Sequence, residues 1–149
     1  MTRAELTEKI VAAKTVKGIK WTEIAAAVGK SKEWTTAALM GQFSLTKEQA
    51  EAASNALGLN LSPDEIALLQ TVPYRGSLGE TVPTDPLVYR FYEITQVFGS
   101  TIKALIEEEF GDGIMSAIDF KMDIQREPDP AGDRVVVTLN GKFLPYKTY

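Results

Sequence analysis

Arg90 and Glu93 lie three residues apart in a segment with helical apolar spacing, among Tyr89, Phe91 and Tyr92. This spacing is close to one helical turn, so it predicts that the guanidinium and the carboxylate are neighbours on one helix face. The ordinary interpretation is a surface ion pair worth about 0.2 to 0.5 kcal/mol. The aromatic neighbours instead favour a partly desolvated guanidinium, whose planar fork binds oxyanions strongly. Arg90 is therefore a candidate anion-binding residue, and Glu93 would orient it or compensate its charge.

Ser116 is a second candidate, because it follows the turn sequence Gly111-Asp112-Gly113 in a short apolar segment. Backbone amides at a Gly-rich turn can hold an anion. The ordinary interpretation is a turn followed by a small, internally bonded serine. The sequence contains neither a phosphate-binding Gly-x-x-x-x-Gly-Lys nor a complete dinucleotide fingerprint, which argues against nucleotide cofactors.

The composition narrows the chemistry further, because the 149 residues include no cysteine and no histidine. Disulfides, thiolate nucleophiles, Ser-His triads and zinc sites of imidazole or sulfur are thereby excluded. The acidic stretch from Glu107 to Asp112 lacks the ligand spacing of a calcium loop and is interpreted as a solvated helix end. Only an all-oxygen Mg²⁺ or Ca²⁺ site would remain possible. We therefore expect catalysis by carboxylates, hydroxyls, Lys, Arg, Tyr or backbone amides.

The net charge of -4 is unevenly divided along the chain. Residues 1–60 hold eight Lys and Arg against six Asp and Glu, whereas residues 61–149 hold eight against fourteen. A surplus of two positive charges is small for a surface that neutralises phosphates. The N-terminus has neither the apolar run of a signal peptide nor the length of a membrane span, so we expect a cytoplasmic protein without membrane contact.

Five short helices are predicted over residues 1–73, because capping signals recur ahead of segments with helical apolar spacing. Their expected starts are Thr2, Trp21, Ser31, Thr46 and Ser62. This layout resembles a repressor-type helix-turn-helix domain. The third helix would read DNA, yet it offers one Lys, one Glu and no Arg, Asn or Gln for base edges. A structural bundle is the preferred interpretation, and a helix-turn-helix regulator with a C-terminal oligomerisation domain is the alternative.

A Gly- and Pro-rich connector over residues 74–86 separates this bundle from a C-terminal domain over 87–149. In that domain we expect helices up to Phe98 and from Ser100 to Phe110, with a break at Gly99. Apolar alternation from Ile118 then predicts a strand, followed by a second strand that Asn140-Gly141 closes with a turn. The fold class is α+β: a five-helix bundle followed by helices and a β-hairpin. Two strands alone are marginal in water, so we expect another subunit to complete the hairpin.

The C-terminal segments together resemble the cyanases, which decompose cyanate with bicarbonate. The matching strings keep their order and spacing over most of residues 73–145: Pro73-Tyr74-Arg75-Gly76, Pro83-Thr84-Asp85-Pro86, Tyr89-Arg90-Phe91-Tyr92-Glu93, Lys103-Ala104-Leu105, Phe110-Gly111-Asp112-Gly113-Ile114, Ser116-Ala117-Ile118, Phe120-Lys121 and Gly141-Lys142-Phe143-Leu144-Pro145. The N-terminal half agrees more loosely, mainly in its five-helix layout.

The resemblance implies a lyase whose catalytic residues are Arg90, Glu93 and Ser116. It also implies a homodecamer built from dimers, with strands interlocked between two chains, active sites at subunit junctions and a repressor-like bundle that does not bind nucleic acid. The substrates would be cyanate and bicarbonate, without cofactor or metal, and the products carbon dioxide and carbamate, which decays to ammonia and carbon dioxide. A catalytically inactive relative of the family is the remaining alternative.

Overall fold

The chain folds into six helices and a two-stranded sheet, which a computed structural model describes for residues 1–73, 76, 79 and 81–148. The chain divides into two compact units, Met1–Ser77 and Leu78–Tyr149. The division falls inside the expected connector, of which Tyr74, Arg75, Ser77, Leu78 and Glu80 lie outside the described residues. Helices followed by an antiparallel hairpin make the fold α+β, as predicted.

The five predicted helices of the first unit are confirmed. They are α1 Arg3–Lys17, α2 Trp21–Val28, α3 Lys32–Leu39, α4 Lys47–Ala56 and α5 Pro63–Gln70. Their starts are set locally, because the side chains of Thr2, Ser31, Thr46 and Ser62 each accept a hydrogen bond from a backbone amide of the first turn. Glu5, Gln49 and Glu65 complete reciprocal capping boxes.

A packed apolar core lies inside this five-helix unit. Its largest fully buried apolar side chains are Leu6, Ile10, Ile24, Leu39, Leu57 and Leu69. The Arg3 guanidinium ties the helices together at the edge of this core, since it donates hydrogen bonds to the carbonyl oxygens of Leu68 and Ala38, both at 2.8 Å. Burial lowers the pKa of Arg3, yet the carbonyls at the C-terminal ends of α3 and α5 suit a cation.

The second unit begins with a single long helix, α6, from Pro86 to Phe110. Asp85 caps it through two backbone amides, as predicted. The predicted break at Gly99 is wrong, because the helix continues through this residue. A glycine inside a helix costs only about 1 kcal/mol, which favourable helical segments on both sides can offset.

Antiparallel strands β1, Gly113–Glu127, and β2, Arg134–Pro145, form the hairpin that follows α6. β1 is longer than the predicted strand and begins two residues after the helix-capping glycine, Gly111. The predicted turn at Asn140-Gly141 is wrong, since these residues pair with Lys121 and Phe120 inside the ladder. Pairing with β1 therefore outweighs the local preference of Asn140-Gly141 for a turn.

The second unit has almost no interior of its own. Among its described residues only Ser116 is buried, and α6 buries none of its side chains. Large apolar side chains are exposed on both the helix and the hairpin: Leu87, Phe91, Ile94, Phe98, Leu105, Met122, Ile124, Val135 and Leu139. Apolar exposure on this scale is typical of a surface for association.

None of the helices within the described ranges is both long enough and apolar enough to span a membrane.

Candidate active site

Arg90 and Glu93 form the ion pair that their spacing predicts. Arg90 Nη1 donates to Glu93 Oε2 at 2.8 Å across one turn of α6. The Asp85 cap and Pro86 at the first helical position fix the start of this helix, so both side chains project from its second and third turns. The carboxylate thus orients the guanidinium while leaving its other N–H groups for a ligand.

The predicted partial desolvation of Arg90 is not found within one chain. Its side chain is 64% exposed and that of Glu93 is 46% exposed. One aromatic neighbour does contact the cation: the Tyr89 ring centroid lies 5.9 Å from Arg90 Cζ, and the Tyr92 ring lies 6.0 Å from that of Tyr89. An ion pair that is so exposed to water contributes little to the stability of a single chain.

A shallow cavity of about 280 Å³ adjoins the pair. Its remaining lining is the apolar side chains Ile94, Val97 and Phe98 on the next turns of α6. Excluding water from this cavity would strengthen the attraction of the guanidinium for an anion, because the effective dielectric constant would fall.

Ser116 lies in a bulge of the hairpin, which we define as residues 116–119. Four residues of β1 stand there opposite one residue of β2, between the pairs Met115–Phe143 and Phe120–Gly141. Ser116 Oγ accepts hydrogen bonds from the amides of Ile118, at 3.0 Å, and Asp119, at 2.9 Å. A bulge leaves ladder amides unpaired, and here the serine hydroxyl satisfies two of them. The serine is 5% exposed.

The sequence predicted Gly113 only as part of a turn and gave Gly141 no role beyond a turn, but in the structure both glycines allow close backbone approach around Ser116. A Cβ on Gly141 would lie 2.2 Å from the Ser116 carbonyl oxygen and 2.6 Å from Met115 Cγ. A Cβ on Gly113 would lie 2.4 Å from the Leu144 carbonyl oxygen. The failure of apolar alternation between Ile114 and Phe120 was the available sequence signal, since a regular strand alternates without interruption.

The three candidate residues do not come together in one chain. Ser116 lies beyond the C-terminal end of α6, whereas Arg90 lies about 30 Å back along the helix axis from Phe110, at 1.5 Å per residue. Within the described parts of the chain, no hydrogen bond or ion pair joins Ser116 to Arg90 or Glu93. A single site containing all three therefore requires more than one copy of the chain.

Acidic residues at the end of α6 behave as a solvated helix end, as expected. Lys103 donates to Glu107 one turn away, and this hydrogen bond raises the pKa of the Lys103 ammonium. Among the described residues, no three or more Asp and Glu side chains cluster in a way that could hold a metal ion.

Comparison with known proteins covers nearly the whole chain. Residues 3–73 match the family model "Cyanate hydratase, N-terminal", and residues 80–148 match "Cyanate lyase C-terminal domain". The cyanate hydratases of Methylibium petroleiphilum and Ralstonia pickettii are 66% and 61% identical to it over 149 residues, covering all of both chains. The crystal structure of cyanase from T. urticae superposes with a TM-score of 0.80 at 37% identity, covering 95% of this chain and 97% of that one.

Proposed function

The chain belongs to the cyanate lyase family, and on that premise we propose that it is a cyanate lyase that uses bicarbonate as its second substrate. Bicarbonate oxygen adds to the cyanate carbon, and the resulting dianion takes up one proton as it splits into carbon dioxide and carbamate. Carbamate takes up a second proton and decays to ammonia and carbon dioxide. The overall reaction therefore consumes two protons for each cyanate.

Repulsion between the two anionic substrates is the main obstacle to their encounter. At 4 Å and an effective dielectric constant of 20, like unit charges repel by about 4 kcal/mol. A guanidinium that contacts both anions offsets this repulsion and stabilises the charge of the intermediate. The observation that carries the proposal is the Arg90–Glu93 pair, which is held at 2.8 Å yet left open to a ligand.

We assign one role to each of the three residues. Arg90 binds anionic oxygens through its fork, and Ser116 donates a hydrogen bond to a substrate or to the intermediate. Glu93 holds the fork of Arg90 in place. No histidine is needed for proton transfer in this scheme, because bicarbonate brings one of the two protons on the carbamate nitrogen and water supplies the other. The same chemistry needs no metal or organic cofactor.

Sites shared between subunits follow from this assignment. One guanidinium per chain is little charge for two anions, and the distance between Arg90 and Ser116 in one chain calls for residues from neighbouring copies. The exposed apolar faces of α6 and the hairpin supply the surfaces for assembly. We propose a homo-oligomer of dimers, a decamer, working in the cytoplasm.

The helix-turn-helix regulator is not favoured, because the first unit itself matches the N-terminal domain of cyanate hydratases. The deciding experiment measures ammonia release from cyanate with and without bicarbonate, together with the accompanying rise in pH. Release that depends on bicarbonate is the expected result. Its absence in folded, assembled protein would reject the proposal, and salt-sensitive retention on duplex DNA that is lost on changing Lys30 and Lys32 would revive the regulator.

A further inference from the structure

The Ser116 bulge lies directly against Gly141 of β2. Gly141 faces the peptide group of Ser116, and even a methyl group at this position would stand 2.2 Å from its carbonyl oxygen and 3.3 Å from its carbonyl carbon. The oxygen belongs to backbone, which cannot swing aside as a flexible side chain can. Any residue larger than glycine must therefore displace the bulge.

The hydrogen bonds of the bulge decide what the serine hydroxyl can do. A hydroxyl oxygen has two acceptor positions and one proton. Both acceptor positions are occupied, by the amides of Ile118 and Asp119. Within the described residues, nothing accepts the hydroxyl proton. Since a buried polar hydrogen normally has a partner, this proton is available to a ligand.

We propose that Gly141 is a positioning residue: by lacking a side chain it lets the bulge close, and the closed bulge restricts Ser116 to donating a hydrogen bond. This inference rests on the proposed function, in which the recipient is an anionic oxygen of a substrate or of the intermediate. It also argues against a nucleophilic Ser116, because no group beside the hydroxyl takes its proton.

The kinetic test places Gly141→Ala in two backgrounds, wild type and Ser116→Ala. In the wild-type background we expect kcat for cyanate to fall about 100-fold, the cost of misplacing a group by about 1 Å. In the Ser116→Ala background we expect less than about a twofold further loss, since residues that act through one another are non-additive. Equal losses in both backgrounds, or no loss in wild type, would overturn the inference.

Gly132→Ala is the matched control. It introduces the same methyl group into the same hairpin, at a loop glycine with a φ of 128° and no heavy atom within 4 Å of the added Cβ. Backbone strain at that position weakens the hairpin without touching the bulge. We expect its kcat to stay within about twofold of wild type, which separates positioning of Ser116 from general loss of stability.

Hydrogen exchange of the assembled protein supplies a readout that does not depend on catalysis. The Ile118 and Asp119 amides are protected by Ser116 Oγ, so Ser116→Ala and Gly141→Ala should both speed exchange in the peptide covering residues 117–119. Gly132→Ala should not. If hydrogen exchange is unchanged in Gly141→Ala, the inference is rejected, whether or not the protein acts on cyanate. If exchange is faster in Gly141→Ala but the wild-type protein has no lyase activity, only the proposed function is rejected.

Discussion

At the scale of single residues, the Arg90–Glu93 ion pair contributes little to the stability of a single chain. Its hydrogen bond is short, but both side chains are largely exposed to water. Exposed pairs of this kind contribute at most about 1 kcal/mol to stability. Changes at Arg90 should therefore affect ligand binding far more than folding.

Arg90→Lys tests this directly. The ammonium keeps the charge but lacks the planar fork, so we expect kcat for cyanate to fall about 100-fold or more, as for the loss of a donor to a charged intermediate. Assembly, measured by sedimentation, should be unchanged. Arg126→Lys is the matched control, because Arg126 is an exposed arginine of the same unit, 3.6 Å from Asp133. Near-normal turnover of Arg90→Lys would contradict the assigned site.

The adjacency of Arg90 and Glu93 was predictable, because three residues on a helix make neighbours whatever surrounds them. The exposure of Arg90 was not. Tyr89 lies beside the guanidinium but does not bury it. The groups needed to bury it must lie far away in sequence or on another chain. The residues next to Arg90 in sequence carry no information about such groups.

At the scale of elements, the helix starts of the first unit are the part of the fold that the sequence predicted best. Capping depends on residues within one turn, so Ser62 and Glu65 specify the start of α5 by themselves. The Glu65 carboxylate also accepts a hydrogen bond from Lys9 at 2.6 Å. That bond is the main reason that the pKa of Glu65 lies below its usual range, and the bond to the Ser62 amide adds to it.

Glu65→Gln should lower the free energy of unfolding by about 1 kcal/mol at pH 7, because the amide keeps the cap but loses the charge-assisted bond to Lys9. Since the folded pKa is depressed, the wild-type advantage is full above the ordinary value of about 4.3 and is lost as pH falls through the folded value. Denaturant unfolding at fixed protein concentration between pH 7 and pH 3 measures it. If the stability difference between wild type and Glu65→Gln did not change with pH, this assignment would be contradicted. Glu51→Gln is the control: it changes an exposed ion pair and should have little effect on stability at any pH.

Thr35 in α3 shows the opposite situation, a polar group without an evident partner. Its side chain is fully buried, and within the described residues Oγ1 makes no hydrogen bond. Thr35→Val should therefore stabilise the protein by about 1 kcal/mol, the lower end of the cost of an unpaired buried hydroxyl. Thr36→Val on the same helix is the control, with no change beyond about 0.5 kcal/mol. A loss of stability at Thr35 in the same unfolding measurement would show that the hydroxyl is hydrogen-bonded in the assembled protein.

Two elements were predicted wrongly for a common reason. Gly99 and Asn140-Gly141 each favour the end of a helix or strand locally. In the structure, α6 continues through Gly99, and Asn140 and Gly141 are held in the strand by pairing with β1. Pairing of β1 with β2 joins residues far apart in sequence, which a local pattern cannot register. The Ser116 bulge depends on the same pairing, so the sequence indicated the serine but not its environment.

At the scale of the whole molecule, the second unit is an incomplete structure in one copy. Arg90 lies in the second turn of α6 and Ser116 lies in β1 beyond the C-terminal end of that helix, and apolar side chains of the helix and the hairpin are exposed. The proposed site therefore takes its parts from different chains.

Mixed oligomers test this division. Arg90→Ala and Ser116→Ala should each retain only a small residual activity alone, but dissociating, mixing and reassembling them in equal amounts should raise activity well above that residual, because some sites then combine an intact Arg90 with an intact Ser116. If each site draws these residues from two chains at random, about one site in four is complete. Ammonia release measures the recovery, and reassembled single variants are the controls. No recovery in oligomers shown to be mixed would mean that each site belongs to one chain.

The contrast between the two units also has a consequence for how the protein is made. The first unit has its own core and leaves the ribosome first, so its helices can form while the rest of the chain is still being synthesised. In the proposed oligomer, the second unit gains its cover only by meeting other copies, a step whose rate depends on concentration. After dilution from denaturant, helical signal should return in a fast unimolecular phase and catalysis in a slower one that accelerates with protein concentration. We therefore expect dilute, newly synthesised chains to pass through a folded but inactive, aggregation-prone stage.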